Sequence, residues 1–408
     1  MGNNIPQGYK ATALGIIPQE WEVKFLGDLL SRCANGLTYD VSITSGIPVT
    51  RIETISTGEI NYAKVGYIPN ESGYEIFRMQ KGDILYSHIN SLSQIGKVAY
   101  YKGDKEIYHG MNLLLLRANE SLNKQYLYYT LLTDHMRHMA QVIAKPAVNQ
   151  ASISTSDLKR VKIAVPPLAE QRKIAEVLGV WDEAIEKQAR LIEKLALRKR
   201  ALMQRLLSAK LRLPGFSEPW QNVKFCELFT KSIKTAEPLK KYEVLSVTKE
   251  GIVAQKSYFN KDIASEDTSK YIVVERGDLA MSGLNFWMGS CHILTNFDEG
   301  IISPAYKVFK VTEHNNIDFI RDFVRSSMFL QALQGCSVIG ASIVRRNLDK
   351  EMLYEWTFKI PSLKEQTAIA EVLTAADREI ELAKEKLERL RRQKRGLMQQ
   401  LLTGKKRI

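Results

Sequence analysis

Two long stretches of the chain share one spacing of apolar positions. In the first, apolar residues fall at Ile174, Leu178, Trp181, Ile185, Ile192, Leu195, Leu202 and Leu206, with Gln188 and Lys199 filling the two gaps. In the second they fall at Ile369, Leu373, Ala376, Ile380, Ala383, Leu387, Leu390, Leu397 and Leu401, and Lys394 fills the gap that matches Lys199. Steps alternating four and three give a period of about 3.5, the seam of a coiled coil. Pro166-Pro167 and Pro361 stand just ahead of each series, where proline is tolerated at a helix start. Glu170 and Glu365 fall in the first turn, where the helix dipole favours negative charge. A helix over 168–208 is ~60 Å long at 1.5 Å per residue. The competing reading, an amphipathic helix lying on a globular core, predicts a shorter and looser stripe.

Elsewhere the pattern is shorter. GIPVTRIETI (46–55), GDILYSHI (82–89), KVAYY (97–101) and NLLLLRA (112–118) read as strands between Gly, Asn and Ser. YEVLSVT (242–248), YIVVERGDLAM (271–281), SCHIL (290–294) and AYKVFKV (305–311) do the same in the second half. One amphipathic helix is predicted in each half, over about 123–143 and 317–334. The fold class is therefore α+β: two mixed α/β domains joined by two long helices.

The chain also repeats itself. PPLAEQRKIAEVLGVWDEAIEKQ (166–188) matches PSLKEQTAIAEVLTAADREIELA (361–383), and KRALMQRLLS (199–208) matches KRGLMQQLLT (394–403), all at an offset of 195. Across 166–213 and 361–408 there are 23 identities in 48 positions, far above chance. Gly82-Asp83 and Ser87 lie at the same offset from Gly277-Asp278 and Ser282. The layout is variable domain 1–165, shared helix 166–208, variable domain 209–360, shared helix 361–408.

Charge orients the two helices. Residues 166–188 carry −2 and 189–213 carry +7, while 361–383 carry −3 and 384–408 carry +8. An antiparallel pair sets each acidic half against the other's basic half, and flanking charges choose coiled-coil orientation. The expectation is an antiparallel coiled coil with a pseudo-twofold axis, a dimer-like molecule built from one chain.

The net charge of +13 favours a polyanionic partner. The sequence contains no P-loop, no GxGxxG, no HExxH and no Asn-Pro-Pro-aromatic tetrapeptide, so nothing marks a nucleotide motor, a zinc protease or an amino-methyltransferase. The four cysteines form no CxxC pair, and no apolar run approaches the ~18 residues of a membrane span. These features fit a cytoplasmic protein. His135 and His138 lack a third ligand nearby. Asp83, Asp278, Asp298 and Glu299 lack the lysine pattern of a metal nuclease, and Gly-Asp reads more simply as a turn into a strand. No catalytic residue and no metal ligand is assigned.

Polar loops recur at matching places. SHINSLSQIGK (87–97) offers Ser87, His88, Asn90, Ser91, Ser93, Gln94 and Lys97, and its counterpart SGLNFWMGS (282–290) offers Ser282, Asn285 and Trp287. A second pair, AKPAVNQASIS (144–154) and GASIVRRNLDK (340–350), brings Lys145, Asn149, Gln150, Arg345, Arg346 and Asn347; Arg51 completes the candidates. Asn and Gln suit adenine edges, Arg suits guanine, and Ser and Lys suit phosphates. Any one of them read alone is equally a solvated loop residue.

The duplicated phrase Pro-x-Leu-x-Glu-Gln-x-x-Ile-Ala-Glu-Val-Leu at 166–178 and 361–373, the endings LMQRLL and LMQQLL, and the entry segments LGIIPQEWEV (14–23) and LPGFSEPW (213–220) carry a resemblance over essentially the whole chain. The chain resembles the specificity subunit of type I restriction–modification enzymes. The resemblance implies two target-recognition domains, each binding one part of a split site on double-stranded DNA, and a helix pair that fixes the gap and docks two methyltransferase subunits. It implies a non-catalytic chain binding no cofactor of its own, with S-adenosylmethionine, ATP and Mg on partner subunits, including a motor-nuclease subunit where one is present. Two other readings remain at this point: the specificity subunit of a different restriction or phage-defence system, and a coiled-coil protein that tethers basic domains to DNA without reading sequence.

Overall fold

The computed structural model describes residues 5–147, 150–237, 242–258, 267–339 and 346–408. It folds as two compact units, one of residues 1–188 with 386–408 and one of residues 189–385.

Each unit is built on a four-stranded antiparallel sheet of the same strand order. In the first the order is Leu30–Asn35, Leu114–Ala118, Ile84–Tyr86, Val98–Tyr100. In the second it is Phe229–Lys231, Lys307–Val311, Leu279–Met281, Cys291–Ile293. Leu114 and Leu116 lie in one apolar core with Ile84, Tyr86 and Leu158; Phe309 lies in the other with Leu279, Met281 and Leu353. A two-stranded pair closes each domain, Glu22–Phe25 with Lys162–Val165 and Gln221–Lys224 with Thr357–Ile360.

The Gly-Asp pairs make turns into the central strands. Gly82 and Gly277 take φ of 97° and 92°, a region that disfavours any residue with a Cβ. Asp83 and Asp278 accept from the backbone N–H of Gln80 and Glu275 at 2.7 and 2.9 Å. Asp83 also takes a bidentate pair from Arg117, both bonds 2.7 Å. Among the described residues no three His, Cys, Asp or Glu are grouped to hold a metal.

Several elements depart from their predicted bounds. The helix expected over 123–143 is two, Lys124–Leu131 and Asp134–Ile143, and that over 317–334 is two, Ile317–Phe323 and Ser327–Gly335. The break comes from Thr133 and Ser326, whose hydroxyls accept from Met136 N and Phe329 N. Such hydroxyls compete with helix continuation and start a new one. The strand expected over 46–55 shortens to Ile47–Val49 and then turns into a 3-10 turn, Ile52–Ile55. The run 271–281 is two strands, parted at Gly277.

The shared segments form helices of 39 residues each, Leu168–Leu206 and Leu363–Leu401. No helix among the described residues is long and apolar enough to cross a membrane. Every seam residue is buried or half-buried, as are Gln188, Lys199 and Lys394 in the gaps. In the first unit Ile174 and Leu178 share a core with Leu401 and Leu402. In the second, Leu206 and Leu207 share a core with Ile369 and Leu373. The gap lysines carry the polar contacts. Lys394 Nζ meets Asp182 at 2.5 Å and lies 4.9 Å from the centre of the Tyr129 ring; the Tyr129 hydroxyl donates to Asp182 at 2.7 Å. Lys199 Nζ meets Asp377 at 2.5 Å and Asp322 at 3.7 Å. Arg198 pairs with Glu379.

The Glu-Gln of the duplicated phrase is buried in both copies and ties each domain to its helices. Glu170 accepts from Trp21 Nε1 at 3.0 Å and from Arg407 at 2.6 and 3.0 Å. Glu365 accepts from Trp220 Nε1 at 3.1 Å and from Arg212 at 2.7 and 2.8 Å. Gln171 accepts from Asn123 N at 2.7 Å and donates to the Pro166 carbonyl at 2.9 Å. Gln366 accepts from Asn316 N at 2.9 Å and donates to the Pro361 carbonyl at 3.1 Å. Asn123 and Asn316 in turn cap a helix of their own domain. The duplicated phrase therefore spends its polar residues on orienting each domain against a long helix.

Candidate nucleic-acid interface

In each domain the two candidate loops meet. In the first, the chain leaves the central sheet after Tyr86, and Ile89–Asn90 pairs with Gln150–Ser152, which pairs with Lys145–Ala147. Asn90 stands opposite Ala151. The following turn is closed by Ser91: its carbonyl accepts from Gln94 N at 2.9 Å and Ile95 N at 3.0 Å, and Ile95 is buried beneath. Gly96 takes φ of 80°, and a Cβ there would stand 2.6 Å from that of Ala140. The loop is thus held rigidly from below while Ser91 and Ser93 face outward. Leu92 at its tip is 54% exposed; polar type does not single it out, and its signal in the sequence is an apolar residue flanked by serines.

In the second domain the joint is made by side chains. The Arg346 guanidinium sits 4.4 Å from the centre of the Trp287 ring, a cation–π contact. Arg346 Nη1 donates to Ser337 Oγ at 3.0 Å, and the Trp287 carbonyl accepts from Gln334 at 3.3 Å. Trp287 Nε1 and Arg346 Nε are buried without a hydrogen-bond partner among the described residues. Ser282 Oγ accepts from Asn285 N at 3.1 Å, Phe286 is buried as the loop's anchor, and Asn285 and Asn347 are exposed.

The candidates differ in what they present. Asn90, Gln94 and Lys97 are half-buried, and Lys145 and Gln150 are exposed. Lys97 donates to the Ser56 carbonyl at 2.7 Å, Lys145 pairs with Asp157 at 3.4 Å, and Arg51 pairs with Glu53 at 3.4 Å. Ser87, His88 and Ser282 are buried and hold the loops from within. Asn149 and Arg345 lie outside the described residues. His135 and His138, set aside as ligands, are exposed.

Burial pushes His88 and His109 down to about 4 from 6.5. Both are neutral in the fold, and each leaves its Nδ1 without a partner. Between pH 6.5 and 4 the unfolded chain binds more protons than the folded one, so stability falls as pH drops through that window. The denaturant midpoint of the first unit is expected to decline from pH 6.5 to 4, and to decline less in His88→Asn; equal decline in both would remove His88 from the account.

The sequence pattern described as the type I restriction modification DNA specificity domain matches residues 18–196 and 217–392. The chain belongs to that family. Within it, a relative named for the specificity subunit of the MjaX type I restriction enzyme of Methanocaldococcus jannaschii is 33% identical over 98% of this chain and 97% of its own. The MjaVIII specificity subunit of the same organism is 24% identical over 96% and 94%. A chain from a solved type I R-M system assembly superposes with TM-score 0.57 at 16% identity, over 95% of this chain and 99% of its own. The S subunit of the type I restriction–modification system from M. genitalium superposes at 0.52 and 16% identity, over 98% and 97%. At these identities the two structures establish the fold. Both family matches span a variable domain together with most of the helix that follows it.

Proposed function

We propose that each unit reads one part of a split DNA site, and that the chain is the non-catalytic specificity subunit of a type I restriction–modification complex. The observation that carries this is the meeting of the two polar loops at one place in both domains, through Asn90 and Ala151 in the first and Trp287 and Arg346 in the second. A rigid loop pair with Asn, Gln and Arg at its surface suits hydrogen bonding in the major groove. Family membership favours this reading over DNA tethering without readout.

The long helices run antiparallel as a coiled coil with pseudo-twofold symmetry and fix the gap between the half-sites. The ion pairs favour this: Asp182 with Lys394, Arg198 with Glu379, Lys199 with Asp377. As the residue number rises along one helix, its partner's number falls along the other. Two methyltransferase subunits dock on this scaffold and methylate adenine with S-adenosylmethionine. A motor-nuclease subunit, where present, adds ATP- and Mg-dependent translocation and cleavage, and the whole complex works in the cytoplasm.

Sequencing of methylated DNA from cells expressing the chain with its methyltransferase partner is expected to give one split, adenine-methylated motif. Methylation without a motif, or of a continuous motif, would defeat the proposal. Gln150→Ala is expected to relax one half-site and Asn285→Ala the other, each costing ~1–3 kcal/mol of discrimination. Competition binding against duplexes scrambled in one half-site checks this, and relaxation of both half-sites by a single substitution would contradict it.

A further inference from the structure

The two domains share a sheet, yet one end of it is filled differently. In the first domain Leu116 stands between Cys33 and Ile84, and Leu114 stands opposite Tyr86. In the second, Phe309 stands between Lys231 and Leu279, and Lys307 stands opposite Met281. Lys231 therefore takes the place of Cys33, and Lys307 that of Leu114, which is buried. At the repeat offset of 195, Lys350 takes the place of Thr155; each is the first residue of a short helix.

Three lysines thus stand where the first domain carries Cys, Leu and Thr, and the second domain opens into a cavity of about 240 Å³ there. Lys231, Lys307 and Lys350 line it together with Ser232, Tyr306 and Tyr354, and no carboxylate is among its lining residues. None of the three lysines has an ion-pair partner among the described residues, although Lys310, on the same strand as Lys307, pairs with Glu275 at 3.1 Å. Burial, then Lys350 and Lys231, push the Lys307 ammonium down from its ordinary value. A half-buried ammonium held beside two like charges favours an anion. Leu348, in the strand that carries Arg346, also lines the cavity, which places it next to the Trp287–Arg346 joint.

We propose that Lys231, Lys307 and Lys350 form a seat for one backbone phosphate of bound duplex DNA, at the place where the first domain carries Cys33, Leu114 and Thr155. The proposal rests on the reading that this chain binds DNA. A phosphate contact positions the duplex without reading sequence, and each neutralised phosphate contributes about −0.9 to the slope of log K against log salt.

The test uses the full chain and a duplex bearing its methylated motif, titrated across about 50–200 mM KCl. The variant Lys231→Met/Lys307→Met/Lys350→Met keeps the aliphatic stems and removes no described ion pair. Its salt slope is expected to be shallower by about 0.9, with affinity about fivefold lower near 0.15 M salt. Its preference for the motif over a scrambled duplex is expected to match wild type. In the wild-type chain, duplex is expected to protect Lys307 from an amine-acylating reagent. An unchanged slope with Lys307 unprotected overturns the seat while leaving DNA binding intact. If wild type binds no duplex, the DNA reading fails, and Lys307 acylation with and without inorganic phosphate then decides the seat: protection supports an anion site and its absence overturns it.

Discussion

Glu365→Ala is expected to lower the melting temperature of the second unit by about 6–12 °C. The side chain of Glu365 is 3% exposed, and it holds both Arg212, whose side chain is 25% exposed, and the Trp220 indole. Removing one member of a buried pair costs ~3–5 kcal/mol, because the other is left charged and unpaired. Arg212 retains some water, which places the loss near ~3 kcal/mol. For a unit of this size each kcal/mol shifts the midpoint by roughly 2–4 °C. Glu365→Gln keeps an acceptor for Trp220 and should lose less. Thermal unfolding followed by tryptophan fluorescence reads the effect directly. A midpoint within a degree of wild type for Glu365→Ala would mean that the clamp does not hold the domain.

Deleting one heptad from both long helices, residues 189–195 and 384–390, is expected to shorten the preferred gap by about three base pairs and leave both half-sites unchanged. Seven residues span about 10 Å of helix, and duplex DNA rises about 3.4 Å per base pair. A heptad returns a helix to nearly the same face, within ~20°, so the seam keeps its register and the Lys199–Asp377 and Lys394–Asp182 contacts are retained. The gap is read from the positions of methylated adenines on either side of it. An unchanged gap would show that something other than helix length sets the spacing, and changed half-site bases would show that the deletion had disturbed the loops.

The long helices were legible because a heptad repeat is local: each step is three or four residues and needs no distant partner. The role of Glu170 and Glu365 was not. First-turn position alone points to the helix dipole, yet their partners Arg407 and Arg212 lie 237 and 153 residues away, and no periodicity links them. The loops followed the same rule. Their polar composition was readable, but their convergence depends on strand register, Ala151 opposite Asn90, and on the Arg346–Trp287 stack. His88 shows the limit from the other side. Its type suits base contacts, while its position just past the buried strand Ile84–Tyr86 turns it inward. The helix breaks at Thr133 and Ser326 were available in principle, since a hydroxyl ahead of a new turn is a capping signal.

Residues 386–408 belong to the first unit, which bears on the order in which that unit can fold during synthesis. During translation the first unit cannot be finished when residue 188 emerges from the ribosome, since Leu401 and Leu402 cover Ile174 and Leu178 and Arg407 neutralises Glu170. About 200 further residues must be made first, roughly 10–40 s at ~5–20 residues per second. Through that interval the nascent chain lacks the cover of Leu401 and Leu402, and Glu170 has the Trp21 indole but not the Arg407 charge. A chain that stops short of Leu401 therefore leaves Ile174 and Leu178 without part of their core.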